Sequence, residues 1–453
     1  MTIHSDSNQS IAVIGAGPAG LFAAKKLAAS GHTVALLNRD IKPGGLAEYG
    51  IYHDKHKMKN GLRKQFRKLL QDPNIHYFGN ISISDDDELS IDDIQDFGFD
   101  AVLVTVGAQG TKWLGLPGED LEGVYHAKDL VYHYNQLPPF GEKEFPIGNR
   151  VICIGVGNVM LDIAHWAIRD LLVDSVTAIA RRGPSNVKFS KKEMALVIDN
   201  LNQANLDKEI ERSRPAMENI NQSPEEAKAF ILSALDKAEK TDSDTEFNLN
   251  FLQSPKQIIG ENGKVTGIEV EDMTLGFRDS GKSKAIPMGT SQVLEADTIV
   301  FCIGDRVDKN FGLPLDKWQE FAKNPNPRFP INEISFEVHN ADDPSSVENI
   351  FLAGWAREAS SGLVGSARKD GESAAAAIQQ YLDTLPDDDR EISILDNLKT
   401  HLNELDKPIV TKIDWEILDA VEQKIAEEED LPVYVFGSNE EMLEVIDGQK
   451  INH

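Results

Sequence analysis

Two segments of the chain, 140 residues apart, share one pattern of apolar and polar positions. Each begins with a short apolar run, at residues 11–14 and 151–154, passes through a glycine-rich turn and continues with helical spacing. The turns are Gly15-Ala-Gly17-Pro-Ala19-Gly20 and Gly155-Val-Gly157-Asn158-Val159. This order is typical of a Rossmann unit, whose glycines admit a pyrophosphate at a helix N-terminus. The repetition predicts two bound dinucleotides.

The remaining apolar pattern predicts an α/β fold in which parallel strands alternate with helices. Residues 199–247 are polar and favour helix, which indicates an insertion with a solvated face. The other predicted elements are helix 21–30, strands 33–37, 101–106, 176–180 and 298–303, a hairpin at 260–270, an apolar run at 350–355 and an alanine-rich helix at 371–382.

A polar break at residues 386–389 precedes an acidic C-terminal segment. Within it, Leu418, Val421 and Ile425 have helical spacing, and residues 432–436 have the pattern of a short strand. This segment is interpreted as a small accessory subdomain or docking helix. A charge that only keeps the protein in solution is an equally weighted alternative.

The charge of this 453-residue chain is uneven. The formal net charge is −28, and the residues from 383 onward contribute −14 of it. A basic segment at residues 39–68 has the opposite sign of charge, with nine Lys or Arg against three acidic residues. A strongly acidic protein repels phosphate backbones, so nucleic acid is excluded as a partner.

The two cysteines, Cys153 and Cys302, lie in apolar strand-like runs and are predicted to be buried thiols. Because no Cys-x-x-Cys is present, disulfide reductase chemistry is excluded, and no metal site is expected. The first ten residues lack the features of a signal or transit peptide, and no apolar run is long enough to span a membrane. A cytoplasmic location is expected.

The second Rossmann unit indicates which nicotinamide cofactor it binds. Its second strand ends directly before Arg181 and Arg182. An acidic residue at this strand end would hold a ribose 2′-hydroxyl, whereas arginine accommodates a 2′-phosphate. NADP(H) is therefore predicted in preference to NAD(H).

Several segments together resemble one family of flavoproteins, the adrenodoxin reductase and FprA type of ferredoxin NADP reductase. The resemblance covers residues 10–382. Its motifs are Pro43-Gly-Gly-Leu46, Tyr49-Gly-Ile51, residues 116–124 (LPGEDLEGV), residues 155–162 (GVGNVMLD), residues 180–184 (ARRGP), residues 189–193 (FSKKE), and Ala353-Gly-Trp355 leading to Ser361-Gly362.

The resemblance implies two Rossmann-like dinucleotide-binding domains. An FAD-binding domain in two segments, 1–110 and 331–385, is interrupted by an NADP-binding domain at 111–330 and followed by the acidic extension 386–453. FAD contacts are expected from Gly15, Gly17, Ala19, Gly20, Asn38, Arg39, Gly45, Leu46, Gly107, Gly354, Trp355, Gly362, Leu363 and Val364. NADP contacts are expected from Gly155, Gly157, Asn158, Val159, Arg181, Arg182, Glu193 and Gly362.

The resemblance also suggests catalytic residues. Trp355 is expected beside the flavin, and Asp162 near the contact of flavin and nicotinamide, where it could support a proton path. The family's histidine is out of register here, since Lys55 stands at its place, and His56 is retained as a candidate. The family also has Glu where this chain has Asn38, so either Asn38 or Asp40 could hold the FAD ribose.

The sequence thus predicts an oxidoreductase that transfers hydride between NADPH and FAD and single electrons between FAD and a ferredoxin or flavodoxin. The acceptor is expected to dock on the basic segment, notably at Lys64, Arg67 and Lys68. Two alternatives stay open: an electron-input flavoprotein like that of glutamate synthase, and a flavin-bound interaction protein without redox activity.

Overall fold

The structure is a computed structural model that describes residues 9–360, 362–386 and 393–450. The chain folds into two compact units, each with its own parallel sheet. Unit 1 contains the chain up to residue 111, residues 132–142 and the chain from 304 onward. Unit 2 contains residues 112–131 and 143–303. The second boundary thus lies before the expected position at 330, and residues 132–142 belong to unit 1.

Unit 1 is built on a six-stranded sheet in the order β15-β4-β1-β2-β3-β16. All neighbouring strands are parallel except β16, which runs antiparallel to β3. The strands, numbered along the whole chain, are β1 (Ser10–Ile14), β2 (Thr33–Leu37), β3 (Ile75–Gly79), β4 (Ala101–Val104), β15 (Ile350–Leu352) and β16 (Val410–Thr411), with β5 (Gly110–Thr111) and β14 (Asp305–Arg306) as a separate antiparallel pair.

Apolar side chains cover both faces of this sheet, as the continuous apolar runs of its strands require. The helices of unit 1 are α1 (Pro18–Ala29), α2 (Leu46–Tyr49), α3 (His56–Leu70), α4 (Ile91–Asp96), α10 (Val364–Leu382), α11 (Ile394–Glu404), α12 (Lys412–Glu428) and α13 (Asn439–Lys450). Helix α5 (Ala127–Tyr134) ends in this unit after beginning in unit 2.

Unit 2 has a five-stranded parallel sheet in the order β6-β13-β7-β8-β9. A three-stranded antiparallel sheet, β10-β11-β12, contains the predicted hairpin and one further long strand. The strands of unit 2 are β6 (Val124–His126), β7 (Arg150–Ile154), β8 (Ser175–Ile179), β9 (Glu246–Asn250), β10 (Gln253–Glu261), β11 (Lys264–Phe277), β12 (Ser283–Glu295) and β13 (Thr298–Phe301). Its helices are α6 (Asn158–Arg169), α7 (Lys191–Met194), α8 (Gln203–Glu218) and α9 (Pro224–Leu232).

The acidic segment is part of unit 1 and not a separate extension. Its strand β16 adds to the sheet edge, with Val410 opposite Gly79. Trp415 and Leu418 of α12 are buried in the same apolar core as β1 and β2. The apolar face of α12 is thus inserted into the unit, and three of the carboxylates of this helix, Asp414, Asp419 and Glu422, are buried with it.

The strand predicted at residues 432–436 is wrong. This stretch has no ladder pairing. Instead, Tyr434 and Phe436 pack edge to face, with ring centroids 5.1 Å apart, and Phe436 is buried. The backbone N–H of Phe436 donates to the carboxylate of Glu422, 3.2 Å away, so a side chain takes the place of a neighbouring strand.

Cys153 and Cys302 are both buried, as predicted, and burial raises the pKa of the Cys302 thiol well above its usual value.

Among the helices in the described ranges, none is long and apolar enough to cross a membrane.

Candidate active site

The first glycine turn lies between β1 and α1. The Thr105 hydroxyl lies within hydrogen-bond distance of the carbonyls of Ile14 and Gly15 at its start. A methyl group on Gly15 would lie 2.7 Å from the carbonyl oxygen of Thr105, and one on Gly20 would lie 2.0 Å from the carbonyl oxygen of Gly15. By contrast, a methyl group on Gly17 would meet no atom within 4 Å. Two glycines therefore allow close backbone packing, while the third faces the space that a pyrophosphate would need.

The second turn, in unit 2, repeats this arrangement. Gly155 has φ +122°, and a methyl group there would lie 2.4 Å from the carbonyl oxygen of Cys302. Gly157 again faces open space. The segment after β8 is held against this turn, because Ser190 N–H donates to Asn158 Oδ1 at 2.8 Å and Lys188 N–H to the carbonyl of Val156 at 2.9 Å.

Both turns lead into helices whose first N–H groups have no side-chain cap among the described residues. The same holds for α10, which begins after Gly362 and Leu363. Helices α2 and α3 also have no side-chain cap in the described ranges, whereas six others are capped by the side chains of Ser90, Ser190, Asn202, Ser223, Ser393 and Thr411. Uncapped N–H groups at a helix N-terminus bind anions, so α1, α6 and α10 retain that capacity.

The strand end after β8 carries Arg181 and Arg182. The backbone of Arg182 is fixed, since its carbonyl accepts from Leu252 N–H at 3.2 Å. Arg181 is exposed and Arg182 half-buried, and neither guanidinium forms an ion pair in the part of the chain that the structure describes. Both charges are therefore available to a ligand phosphate.

In unit 1, Asn38 occupies the corresponding strand end and is buried. Its Oδ1 accepts from Ala16 N–H at 2.9 Å, and its Nδ2 donates to the carbonyls of Asp40 and Lys42 at 2.8 and 3.1 Å. The Asp40 carboxylate pairs with Arg39 at 3.0 Å. Asn38 therefore braces the glycine turn against the next loop, a role that its position in the sequence does not reveal.

A cavity of about 310 Å³ opens beside this strand end. It lies at the carboxyl ends of β2 and β3, the edge at which dinucleotides bind in such sheets. Its polar lining includes Arg39, Asp40, Asn80, Ser82 and Lys407, and its apolar lining Ile41, Tyr49 and residues 137–140. This is the candidate site for the adenosine end of a dinucleotide.

The late strand β15 ends at a short turn, Gly354–Ala356, that carries Trp355. Gly354 has φ +66°, and a methyl group there would lie 2.8 Å from Ala19 Cβ in α1. Trp355, half-buried, is thereby set beside the N-terminal end of α1, far from it in sequence. Fold and packing thus bring the two segments of the predicted flavin site together.

Comparison with known proteins agrees with this geometry. The family model for pyridine nucleotide-disulphide oxidoreductases matches residues 9–222. The solved structure of FprA, a Mycobacterium tuberculosis oxidoreductase, superposes with a TM-score of 0.79 at 26% identity, covering 97% of this chain and 99% of that one. The chain is similar to the FprA and adrenodoxin reductases, which are oxidoreductases, at 25–28% identity.

The similarity to these relatives extends over nearly the full length of the chain. An NADPH-ferredoxin reductase FprA of Mycobacterium leprae is 28% identical, over 92% of this chain and 94% of its own length. A mitochondrial NADPH:adrenodoxin oxidoreductase of Arabidopsis thaliana is 25% identical, over 93% and 92%. The Mycobacterium tuberculosis FprA has also been solved in complex with NADPH, at 25% identity and a TM-score of 0.78.

The other predicted FAD-site residues lie around the turns just described. Gly45 crosses the first turn, since a methyl group on it would lie 3.1 Å from Gly17 Cα, and Leu46 follows it at the start of α2. Gly107, with φ +74°, follows β4. Leu363 and Val364 are at the start of α10, and Ser361 lies outside the described residues.

The remaining predicted site residues are the catalytic candidates Asp162 and His56 and the expected NADP contacts Glu193 and Val159, and each of them lies on a helix. Asp162 is half-buried on α6, and its charge contributes to the raised pKa of Cys302. Glu193 lies on α7 and exposed Val159 in the first turn of α6. His56 is the first residue of α3 in unit 1 and is half-buried.

The basic segment is not one exposed surface, contrary to expectation. Five of its nine cations are held by neighbouring groups: Arg39 by Asp40, Lys42 by Glu422, Lys59 by Asn135, Arg63 by Glu48 and Arg67 by Asp419. Lys57, Lys64 and Lys68 are exposed, and their spacing places them on one face of α3. Sequence spacing could have identified this face, but not the pairing of the others.

A carboxylate that the sequence did not single out, Asp370 of α10, fixes the turn at Trp355. Its Oδ2 accepts from Gly354 N–H at 2.7 Å, and it binds the Arg357 guanidinium through Nη2 at 2.6 Å. Both side chains are largely buried. Asp370 is thus a positioning residue for Gly354 and Trp355.

Replacing Asp370 with alanine should lower the free energy of unfolding by about 2–3 kcal/mol, because Gly354 N–H loses its acceptor and Arg357 loses the closer of its two carboxylate partners. Asp370→Asn, which keeps an acceptor for Gly354, should cost less. Denaturant unfolding measures both. Glu372→Gln is the control, since the Glu372 side chain forms an exposed ion pair with Arg368 on the same helix, and the substitution leaves the Glu372 carbonyl that accepts from Lys26 in place; that change should cost under about 0.5 kcal/mol. Equal losses for Asp370→Ala and Glu372→Gln would contradict the positioning role.

Proposed function

We propose that this chain is an NADPH-dependent, FAD-containing reductase of a ferredoxin-type iron–sulfur protein or flavodoxin. One observation carries the proposal: each unit has its own glycine turn with open space before a helix that no described side chain caps. The turn in unit 2 is followed by Arg181 and Arg182, which form no ion pair with the described residues. The names of the relatives, NADPH-ferredoxin and NADPH:adrenodoxin reductase, support the same substrates for this chain.

The residues of unit 1 fit FAD. The pyrophosphate would lie before Gly17 at the N-terminus of α1, and the adenosine in the cavity beside Arg39. The isoalloxazine would lie toward Trp355 and the uncapped start of α10, whose N–H groups favour negative charge on a bound ring. Asn38, engaged with Ala16 and the following loop, would shape the phosphate turn and leave ribose contacts to other groups.

The residues of unit 2 fit NADPH. Its pyrophosphate would lie before Gly157 at the start of α6, and its 2′-phosphate at Arg181 and Arg182. Asn158 would act indirectly, because its side chain already holds Ser190 and so fixes the loop that borders the site.

FAD and NADPH supply the hydride chemistry, and FAD permits the change from two-electron to one-electron transfer. The chain binds and orients the cofactors, so that a reaction between two molecules becomes effectively unimolecular. Half-buried Asp162 is the candidate to hold a proton near the nicotinamide.

The proposal is tested on the purified protein. Denaturation should release one flavin, with the mass of FAD, and anaerobic stopped-flow mixing should show flavin reduction by NADPH much faster than by NADH. Reduced enzyme should then pass electrons to members of a panel of ferredoxins and flavodoxins. Release of FMN, or no flavin after reconstitution with FAD, would refute the cofactor assignment. Bound FAD without reduction by NADPH would indicate an interaction protein.

A further inference from the structure

The acidic C-terminal segment reaches the first glycine turn through a buried charge cluster. Lys42 directly precedes the turn Pro43-Gly44-Gly45, and its Nζ lies 2.9 and 2.7 Å from the two carboxylate oxygens of Glu422 in α12. Only 4% of the Lys42 side chain and 6% of the Glu422 side chain are exposed. An ion pair this deeply buried fixes both of its partners, because loss of either leaves an uncompensated charge.

The cluster contains a second pair from unit 1. Glu48 of α2 lies 3.5 Å from Lys42 Nζ and is bound by Arg63 of α3, whose Nε donates at 2.8 Å. Burial opposes ionisation of Glu48, but Lys42 and Arg63 hold its pKa well below the usual range. Burial raises the pKa of Glu422, an effect that Lys42 partly offsets. Two carboxylates, Glu48 and Glu422, thus face two cations, Lys42 and Arg63.

Nearby, Lys59 Nζ donates to Asn135 Oδ1 at 2.9 Å, and burial lowers the pKa of Lys59 to about 8. The cluster therefore tolerates little additional positive charge. Removal of the Glu422 charge would leave Lys42 close to Arg63 and Lys59 with only Glu48 to balance them.

Contacts on the other side connect Lys42 to the glycine turn. The Lys42 carbonyl accepts from Asn38, whose Oδ1 in turn accepts from Ala16 N–H. Two residues on, Gly44 N–H donates to the Ala16 carbonyl at 2.8 Å, and Gly45 lies against Gly17. A shift of Lys42 would therefore move the loop that borders the pyrophosphate space.

The C-terminal segment meets this cluster at more than one point. Phe436 N–H donates to Glu422 Oε1 at 3.2 Å, so the loop before α13 is held by the same carboxylate. Three residues before Glu422 on α12, Asp419 binds Arg67 of α3. Helix α12 therefore binds the segment between β2 and β3 at two positions, at Lys42 near its start and at Arg67 near its end.

We propose that residues 410–446 position the FAD site, with Glu422 and Lys42 as positioning residues that hold the Pro43-Gly44-Gly45 turn against the Gly15–Gly20 turn. The inference rests on the proposed function, since it takes FAD as the ligand of unit 1. It assigns to the acidic segment a role in cofactor affinity, in place of partner docking or solubility.

The test compares Glu422→Gln with Glu427→Gln, an exposed carboxylate on the same helix. FAD affinity is measured by fluorescence titration of deflavinated protein, and thermal unfolding is followed with and without FAD. Glu422→Gln should raise the FAD Kd by about tenfold or more, the loss expected from one charge-assisted hydrogen bond. It should also reduce the gain in Tm that FAD gives, whereas Glu427→Gln should change neither.

A purely structural role predicts something different: equal decreases in Tm with and without FAD and an unchanged Kd. That result would overturn the inference. Lys42→Met provides the second variant, and its effect on Kd should not add to that of Glu422→Gln, because the two residues act as one pair.

Hydrogen exchange on the wild-type protein keeps the test independent of variant stability. FAD should increase the protection of residues 41–50 and also of α12. Protection confined to the glycine turns, with α12 unchanged, would count against the proposal. A wild-type protein that binds no FAD would overturn the proposed function itself, whereas FAD binding that ignores Glu422 would overturn only this inference.

Discussion

Replacing Arg181 and Arg182 with alanine should raise the KM for NADPH far more than the KM for NADH. Each charge-assisted contact to the 2′-phosphate contributes about 1.5–3 kcal/mol, which corresponds to about tenfold to 150-fold in binding. NADH has no 2′-phosphate and loses none of these contacts. The absence of ion pairs at both guanidinium groups within the described ranges means that the substitutions should cost little stability.

The measurement is steady-state kinetics with both nucleotides, with direct binding of NADP+ to the oxidised protein as a check. The control is Lys208→Ala/Lys237→Ala, which removes two exposed cations from other segments of unit 2. It should leave the preference for NADPH intact. Equal losses with NADPH and NADH in the arginine variant would show that the arginines are structural.

The sequence allowed prediction of the parts of this protein that depend on local order. A strand, a glycine turn and a helix follow each other within some twenty residues, so the turns at Gly15 and Gly155 could be located without any structure. The position of Arg181 and Arg182 just after β8 could be predicted because a strand end has a fixed place relative to the turn before it; their binding of a 2′-phosphate stays a prediction. The burial of both cysteines followed from their apolar neighbours.

Features that depend on distant partners could not be predicted. Asn38 was considered for ribose binding because of its position, yet its amide is used by Ala16 and two carbonyls. Lys42 and Arg67 appeared to be part of a basic surface, but their partners, Glu422 and Asp419, lie more than 350 residues further along the chain. Composition reports charge, whereas pairing depends on the fold.

The acidic segment shows the same limit at the level of an element. Its helix was expected from the spacing of Leu418, Val421 and Ile425, and α12 is present. Its strand was expected at 432–436, where Tyr434 and Phe436 suit a strand, but the edge of the sheet is instead extended by Val410 and Thr411. Strand formation depends on an available edge, which a local pattern does not contain.

The pairing of the basic segment changes where an electron acceptor is expected to dock. On a protein of net charge −28, an acidic iron–sulfur protein is repelled except where cations are exposed and unpaired. Lys57, Lys64 and Lys68 meet this requirement within the described part of the chain, and they share one face of α3. Arg67 does not meet it, because Arg67 is half-buried and paired with Asp419. Replacing Arg67 with glutamate would also place a second carboxylate against Asp419 and destabilise α12. We therefore propose the three lysines as the docking surface.

Reversing Lys57, Lys64 and Lys68 to glutamate should slow reduction of an acidic ferredoxin by about tenfold or more at low salt, since steering acts on the encounter rate. The effect should shrink toward 0.5 M salt, where charges are screened over about 4 Å. Reduction of the enzyme's own flavin by NADPH should not change. The control reverses Lys208, Lys282 and Lys284, exposed lysines of unit 2, and gives the same net charge. If both triple variants slow ferredoxin equally, the effect comes from net charge and α3 is not the docking surface; if neither does, docking does not depend on these charges.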